Sequence, residues 1–117
     1  MANTLVVVGV GYVGLPLAQE ACRAGMSVVG LDTDQEVVTS LSNGESHIDD
    51  VDTVGVAEML AAGFMATTDS TYISNSDVIV ICVPTPLDDE GTPHLGAIKA
   101  ATSTVSEHLR PDSLVVL

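Results

Sequence analysis

The sequence predicts an α/β fold: a doubly wound parallel sheet between two helical layers (three-layer αβα), formed by a single domain. Short runs of Val, Leu and Ile alternate with helix-compatible segments along the chain. These runs are continuously apolar, which is typical of parallel strands covered on both faces. A length of 117 residues allows a substantial core but only one domain.

The first half of the chain predicts the order strand, helix, strand, helix, helix. Pro16 lies in the first turn of the first helix, where its missing N–H removes no intrahelical bond, and Gly25 is placed to end that helix. Thr33-Asp34 can cap the second helix, and Asn43-Gly44 can end it. The predicted strands are 5–8 and 26–31, and the predicted helices are 12–24, 35–42 and 54–62.

The second half continues the alternation. The run from Asp77 to Val83 is the most strand-like in the chain and predicts a central strand. Pro84-Thr85-Pro86 ends it, because proline cannot donate to the ladder. The other predicted elements are a short strand at 64–67, a brief segment at 71–74, a helix at 95–109 with Ile98, Ala101, Val105 and Leu109 on its inner face, and a strand at 113–117.

The turn after the first strand reads Gly9-Val10-Gly11-Tyr12-Val13-Gly14. The first glycine allows a tight turn, the second leaves room for a pyrophosphate, and the third lets the helix pack closely on the sheet. Free N–H groups and the positive dipole end of the helix then face the phosphates. Asp32 follows about 20 positions later, where a carboxylate that binds the adenosine ribose is expected. The pattern favours a dinucleotide site over a turn that only packs a helix on a strand.

The candidate ligand-binding segments all follow predicted strands. Because parallel strands place their carboxyl ends on one side of the sheet, the glycine turn, Asp32 and Val83-Pro84-Thr85 are expected at the same edge. Ligands bind at that edge in sheets of this type. Pro84-Thr85-Pro86 on its own is equally typical of a rigid turn. Together the segments indicate a Rossmann-like dinucleotide-binding domain.

The formal net charge of −13 comes from 16 acidic residues against the basic residues Arg23, Lys99 and Arg110. Without a basic surface, nucleic-acid binding is excluded as a function. An anionic cofactor must therefore be held by backbone N–H groups and a helix dipole. The acidity is typical of a solvated surface, or of adaptation to high salt, where screening removes self-repulsion.

The remaining composition argues against a metal site or a membrane span. Cys22 and Cys82 lie in a predicted helix and a predicted buried strand, and we interpret both as small buried hydrophobes. No apolar stretch approaches the ~20 residues of a membrane span. The segment Met1 to Thr4 enters the first strand without a signal-peptide pattern. We expect a cytoplasmic protein with no membrane partner.

The chain resembles the NAD-binding domain of the nucleotide-sugar dehydrogenases, the UDP-glucose/GDP-mannose dehydrogenase family. The matching segments span almost the whole chain in the family's order. They are Gly9-Val10-Gly11-Tyr12-Val13-Gly14-Leu15-Pro16-Leu17-Ala18, Gly30-Leu31-Asp32-Thr33-Asp34, Asn43-Gly44-Glu45-Ser46-His47-Ile48, Thr67-Thr68-Asp69 and Cys82-Val83-Pro84-Thr85-Pro86-Leu87-Asp88. Pro84, where UDP-glucose and GDP-mannose enzymes often have glycine, is more similar to the branch that oxidises UDP-N-acetylhexosamines.

The resemblance implies an NAD-dependent oxidation of a sugar C6 alcohol to a carboxylate, in which two NAD are reduced. It assigns Asp32, with Thr33 beside it, to the adenosine ribose. It places Gly11, Tyr12 and Val13 along the pyrophosphate, between Gly9 and Gly14. It brings Val83, Pro84 and Thr85 towards the nicotinamide. Asp32 also favours NAD over NADP, because a carboxylate repels a 2′-phosphate.

Three positions differ from the family pattern. Val37 stands where many relatives have Lys or Arg, which predicts weaker cofactor binding. Phe64 replaces a commonly basic residue, and His94 replaces an aspartate that often caps the next helix.

The resemblance also implies that the catalytic groups and the sugar-binding domain lie beyond Leu117. We therefore expect an N-terminal fragment (1–117) that binds NAD and does not catalyse by itself. The full-length enzyme is expected to be a homodimer or a higher homo-oligomer. The alternatives are another NAD-dependent Rossmann oxidoreductase and a non-catalytic NAD-sensing module.

Overall fold

The computed structural model of the chain describes residues 3–48, 51–83, 91, 95–109 and 113–116. Strands and helices alternate along it as the hydrophobic runs predict. The strands are β1 (Thr4–Val8), β2 (Ser27–Leu31), β3 (Met65–Thr67), β4 (Val78–Ile81) and β5 (Leu114–Val116). The helices are α1 (Gly14–Arg23), α2 (Gln35–Ser42), α3 (Thr53–Ala61) and α4 (Gly96–His108), and a 3₁₀ helix spans Ser70–Asn75.

The five strands form one parallel sheet in the order β3-β2-β1-β4-β5. The chain reverses its direction of winding between β1 and β4, which makes this the doubly wound arrangement. Val8 is level with Leu31 on one side and with Ile81 on the other. The carboxyl ends of β1, β2 and β4 therefore lie at the same height. The predicted fold class is confirmed.

Each face of the sheet carries its own apolar core, because side chains alternate along each strand. On one face, Val7 and Val28 pack with Leu15 and Ala18 of α1, Val38 of α2 and Val56 of α3. On the other face, Val6 and Ile79 pack with Ile73 of the 3₁₀ helix and with Ala101 and Val105 of α4. These two clusters join the sheet to the helical layers on its two faces, which gives the αβα arrangement.

Local sequence signals place most helix ends. Asp34 caps α2 by accepting from the N–H of Glu36, and Asp52 caps α3 by accepting from the N–H of Gly55. At the end of α1, the N–H of Gly25 donates to the carbonyl of Cys22, and that of Met26 donates to Ala21. This pair of bonds, with Gly25 at φ +90°, is the Schellman arrangement that glycine favours.

Most predicted boundaries differ from the structure by one or two residues, and three of these differences have a clear structural reason. α1 begins at Gly14 rather than residue 12, because Tyr12 and Val13 belong to the turn. β4 ends at Ile81, although the N–H of Cys82 still donates to the carbonyl of Val8. Leu109 is 44% exposed rather than buried, because α4 ends at His108 and extended backbone turns Leu109 out of the helical face.

Candidate functional site

A cleft of about 550 Å³ lies at the carboxyl edge of the sheet, where the strand order reverses. Its walls come from the β1–α1 turn, the end of β2, the loop after α2, the segment after β3 and one side of α4. The described lining residues are Val8, Gly9, Gly11, Leu31, Asp32, Thr33, Asp34, Val37, His47, Thr68, Ser70, Val83, Ala97, Ala100, Ala101 and Thr104. Ligands of doubly wound sheets bind at this position.

Gly9 makes the tight turn out of β1. Its backbone has φ +93°, and its N–H donates to the carbonyl of Leu31 over 2.7 Å. A Cβ built on Gly9 would lie 2.9 Å from the carbonyl oxygen of Cys82. Both the dihedral angle and the neighbouring backbone therefore require glycine, as the sequence predicts.

Gly11 leaves open space at the start of α1. A Cβ built there meets no atom within 4 Å, so the floor of the cleft is free at this point. The N–H groups of Gly11, Tyr12 and Val13 make no hydrogen bond within the described part of the chain. Val13, the N-cap residue of α1, provides no side-chain cap. Free donors, a positive dipole end and an open approach together suit an anionic group.

Gly14 lies beneath the same turn. A Cβ on this residue would fall on the carbonyl oxygen of Gly9, and it would approach Cγ1 of Val7 to 3.1 Å. The absence of a side chain therefore lets α1 begin directly against β1. Gly14 shapes the site from below and does not line the cleft.

Asp32 connects the end of β2 to the glycine turn. Its Oδ2 accepts from the N–H of Val10 over 3.1 Å, and its Oδ1 accepts from the N–H of Asp34 over 3.0 Å. The carboxylate is half-buried and lines the cleft, with exposed Thr33 beside it. Each oxygen keeps a further acceptor position. The side chain is therefore held in place and can still accept hydroxyl donors from a ligand.

The other predicted site residues take different positions. Val83 lines the cleft beyond β4. Tyr12 and Val13 are 71% and 70% exposed and do not line it, so only their backbone N–H groups point to a role. Pro84 and Thr85 lie outside the described residues, as does His94.

Part of the cleft wall was missed by sequence reasoning. Ala97, Ala100, Ala101 and Thr104 project from α4, whose sequence shows only an amphipathic helix. His47 lies in the loop after α2 and lines the cleft, although the sequence marks this segment only by its resemblance to the family. A solitary histidine in a polar loop carries no local signal, so only the tertiary arrangement reveals it.

Ser70 lines the cleft from the 3₁₀ helix, and its hydroxyl lies 3.2 Å from Nε2 of His108 in α4. Asp69 caps this helix. The hydroxyl of Thr71, and then its N–H, donate to Asp69 and hold the pKa of that carboxyl below its usual value. The contact between Ser70 and His108 joins the 3₁₀ helix to α4, two walls of the cleft.

Neither cysteine has the environment of a reactive thiol. The prediction that both cysteines are buried is wrong for Cys82, which follows the end of β4 and is only half-buried, whereas Cys22 is buried. Desolvation raises the pKa of both thiols, and neither lines the cleft. Among the described residues, no group of three His, Cys, Asp or Glu side chains could hold a metal ion. None of the helices in the same residues combines the length and apolar character that a membrane crossing requires.

Native protein is therefore expected to react slowly with iodoacetamide at pH 7.5, because the thiolate is the nucleophile and burial disfavours it. The pKa of each thiol is higher in the folded chain than in the unfolded chain. The free energy of unfolding should therefore fall as pH rises above about 8.5. Mass spectrometry of alkylated protein checks the first expectation, with urea-unfolded protein as the rapidly modified control. Rapid labelling of the native chain at pH 7.5 would contradict it.

Comparison with known proteins agrees with this geometry. The model of the UDP-glucose/GDP-mannose dehydrogenase family, NAD binding domain, matches residues 3–117. The chain is 34% identical over 116 residues to a UDP-glucose 6-dehydrogenase of Haloferax volcanii. It is 35% identical over 117 residues to an NDP-N-acetyl-D-galactosaminuronic acid dehydrogenase of Ralstonia nicotianae. These alignments cover 97% and 98% of this chain, and 27% of each relative.

A solved structure supports the same relationship. The UDP-D-ManNAc dehydrogenase of Pyrococcus horikoshii matches with a TM-score of 0.89 and 33% sequence identity. The match covers 96% of this chain and 27% of that one. The chain thus spans about a quarter of the length of the relatives it matches. It belongs to the UDP-glucose/GDP-mannose dehydrogenase family and is that family's NAD-binding domain.

Proposed function

We propose that this chain is the N-terminal cofactor-holding part of a longer nucleotide-sugar 6-dehydrogenase. In this assignment Asp32 and Thr33 would hold the adenosine ribose, and the N–H groups from Gly11 to Val13 would hold the pyrophosphate. Gly9 and Gly14 shape the turn between them. Val83, together with Pro84 and Thr85, would approach the nicotinamide. The length of the relatives, about four times that of this chain, supports a larger enzyme.

One observation carries the proposal most strongly. The Asp32 carboxylate accepts a hydrogen bond from the N–H of Val10, inside the glycine turn. The acceptor for the ribose and the donors for the phosphates therefore form one connected unit at the edge of the sheet. Gly11 provides the open space that the pyrophosphate needs between them.

NAD supplies the hydride acceptor for oxidation of a sugar C6 alcohol to a carboxylate, a four-electron change that reduces two NAD. We place the catalytic groups outside this chain. In support, desolvation raises the pKa of both thiols, and neither cysteine lines the cleft. The domain is accordingly expected to bind cofactor and not to turn over substrate alone.

For the substrate we propose a UDP-N-acetylhexosamine (UDP-N-acetylmannosamine or UDP-N-acetylglucosamine), with UDP-glucose as the second candidate. The names of the relatives include both classes. We place the whole enzyme in the cytoplasm as a homodimer or higher homo-oligomer. The free thiols of Cys22 and Cys82 agree with a reducing compartment.

Isothermal calorimetry tests the cofactor assignment directly. The chain should bind NAD and bind NADP more weakly, because Asp32 repels the 2′-phosphate. Mixtures of the chain with NAD and these UDP-sugars should give no NADH absorbance at 340 nm. An absence of NAD binding would overturn the assignment, and sustained NADH formation would overturn the placement of the catalytic groups.

Replacing Asp32 with alanine should weaken NAD binding at least about tenfold, since a hydrogen bond to a charged group contributes about 1.5–3 kcal/mol. Asp32→Asn should retain the shape of the side chain and reduce the preference for NAD over NADP. Calorimetric titration with both cofactors gives the two constants.

Asp52→Ala is the matched control, because it removes a carboxylate that also accepts a backbone N–H but lies outside the cleft. This control should lose about 1 kcal/mol of stability with its helix cap and keep the NAD affinity of the unmodified chain. Equal NAD affinity in Asp32→Ala and Asp52→Ala would remove Asp32 from the site.

A further inference from the structure

The cleft extends past Asp32 towards α2 and the loop that follows it. Leu31 and Val37 form apolar wall there, and the exposed residue His47 lines the same space. If Asp32 holds the ribose of the adenosine, the base attached to that ribose needs room beside it. Leu31 and Val37, which lie close to Asp32 in the chain, supply apolar lining to the cleft.

The backbone around His47 is held on both sides. The Ser46 hydroxyl donates to the carbonyl of Ile48 over 2.7 Å and accepts from its N–H over 3.2 Å. Ile48 is 7% exposed and belongs to the core beneath α1, α2 and α3. The backbone at His47 is therefore restrained by a hydrogen-bonded turn and by a buried neighbouring residue, while the side chain of His47 stays exposed.

His47 also differs chemically from the rest of the wall. The other lining residues in the described part of the chain are Gly, Ala, Val, Leu, Ser, Thr and Asp. His47 provides a planar aromatic ring among them. Bases bound to proteins commonly stack on planar side chains, including histidine.

We propose that His47 is a cofactor-positioning residue whose imidazole ring packs against the adenine of NAD. This inference rests on the proposed function, because Asp32 must hold the adenosine ribose for the adenine to reach this end of the cleft. It assigns the loop after α2 a role in binding affinity that is independent of the glycine turn. The packing uses the flat face of the ring, so a phenylalanine at the same position should replace it.

Titration calorimetry of the whole chain with NAD, ADP-ribose and AMP tests the inference. His47→Ala should weaken all three about tenfold, in the range measured for loss of one base-stacking side chain. His47→Phe should restore affinity to within about twofold of the unmodified chain. Asn43→Ala is the control, because Asn43 is an exposed neutral residue of the same loop that does not line the cleft.

The outcomes separate the two proposals. His47→Ala with the affinity of Asn43→Ala, or His47→Phe as weak as His47→Ala, would overturn the stacking role while NAD binding and its loss in Asp32→Ala still hold. Failure of the unmodified chain to bind NAD would overturn the proposed function and this inference together. Unchanged thermal unfolding of His47→Ala would confirm that any loss of affinity is local.

Discussion

Valine at position 11 is expected to remove NAD binding while the domain remains folded. A Cβ on Gly11 meets no protein atom within 4 Å, so the larger side chain would extend into the space that the pyrophosphate needs. It would also cover the free N–H groups at the start of α1. We expect affinity to fall at least about thirtyfold, or roughly 2 kcal/mol, by calorimetry.

The stability of Gly11→Val should stay within about 0.5 kcal/mol of the unmodified chain, because a side chain added there enters open space. Urea unfolding followed by circular dichroism measures this. A variant that unfolds at a clearly lower urea concentration, or one that binds NAD normally, would contradict the open-cradle interpretation of Gly11.

Alanine at position 14 is expected to destabilise the fold itself, whereas valine at position 11 is expected to affect NAD binding. The added Cβ would fall on the carbonyl oxygen of Gly9, a backbone atom that cannot rotate away as a side chain does. Relief requires α1 to move off β1, which would loosen the packing of Leu15 on α1 within the core cluster that contains Val7 of β1. We expect a loss of about 3 kcal/mol, at the upper end for overpacking.

Gly11→Ala is the matched control for Gly14→Ala, because it adds the same methyl group three residues earlier, in open space. Its melting temperature should be unchanged, whereas that of Gly14→Ala should fall by roughly 10 °C. Equal stability of the two alanine variants would show that α1 does not depend on direct contact with the turn.

The parts of the fold that were predicted correctly depend on neighbours in sequence. The bounds of α2 follow from Asp34 as its cap and from the glycine after Asn43, and the structure reproduces them at 35–42. Parallel strands were predicted because their runs are apolar throughout. The wrong boundary at Tyr12 lies at a helix start that no side chain caps, and the one at Leu109 lies where extended backbone ends α4.

The candidate site likewise contains residues that could be predicted from the sequence and residues that could not. Gly9, Gly11 and Asp32 could be predicted because each is a residue type that the local backbone or the ligand requires, found at a fixed spacing in the sequence. The α4 wall could not, since Ala97 and Ala100 look like ordinary helix residues. Their place in the cleft comes from the packing of α4 over the β4 face of the sheet.

The sequence by itself determined the strand–turn–helix order, the glycine turn, the carboxylate after β2 and the resemblance to one enzyme family. These are local properties, set by dihedral freedom, hydrogen-bond capacity and hydrophobic period. Only the tertiary structure decided that Asp32 is bonded to the turn through Val10, and that His47 and α4 share the cleft with it. Those contacts join segments far apart in the chain, and they form only when the parallel sheet brings the ends of its strands to one edge.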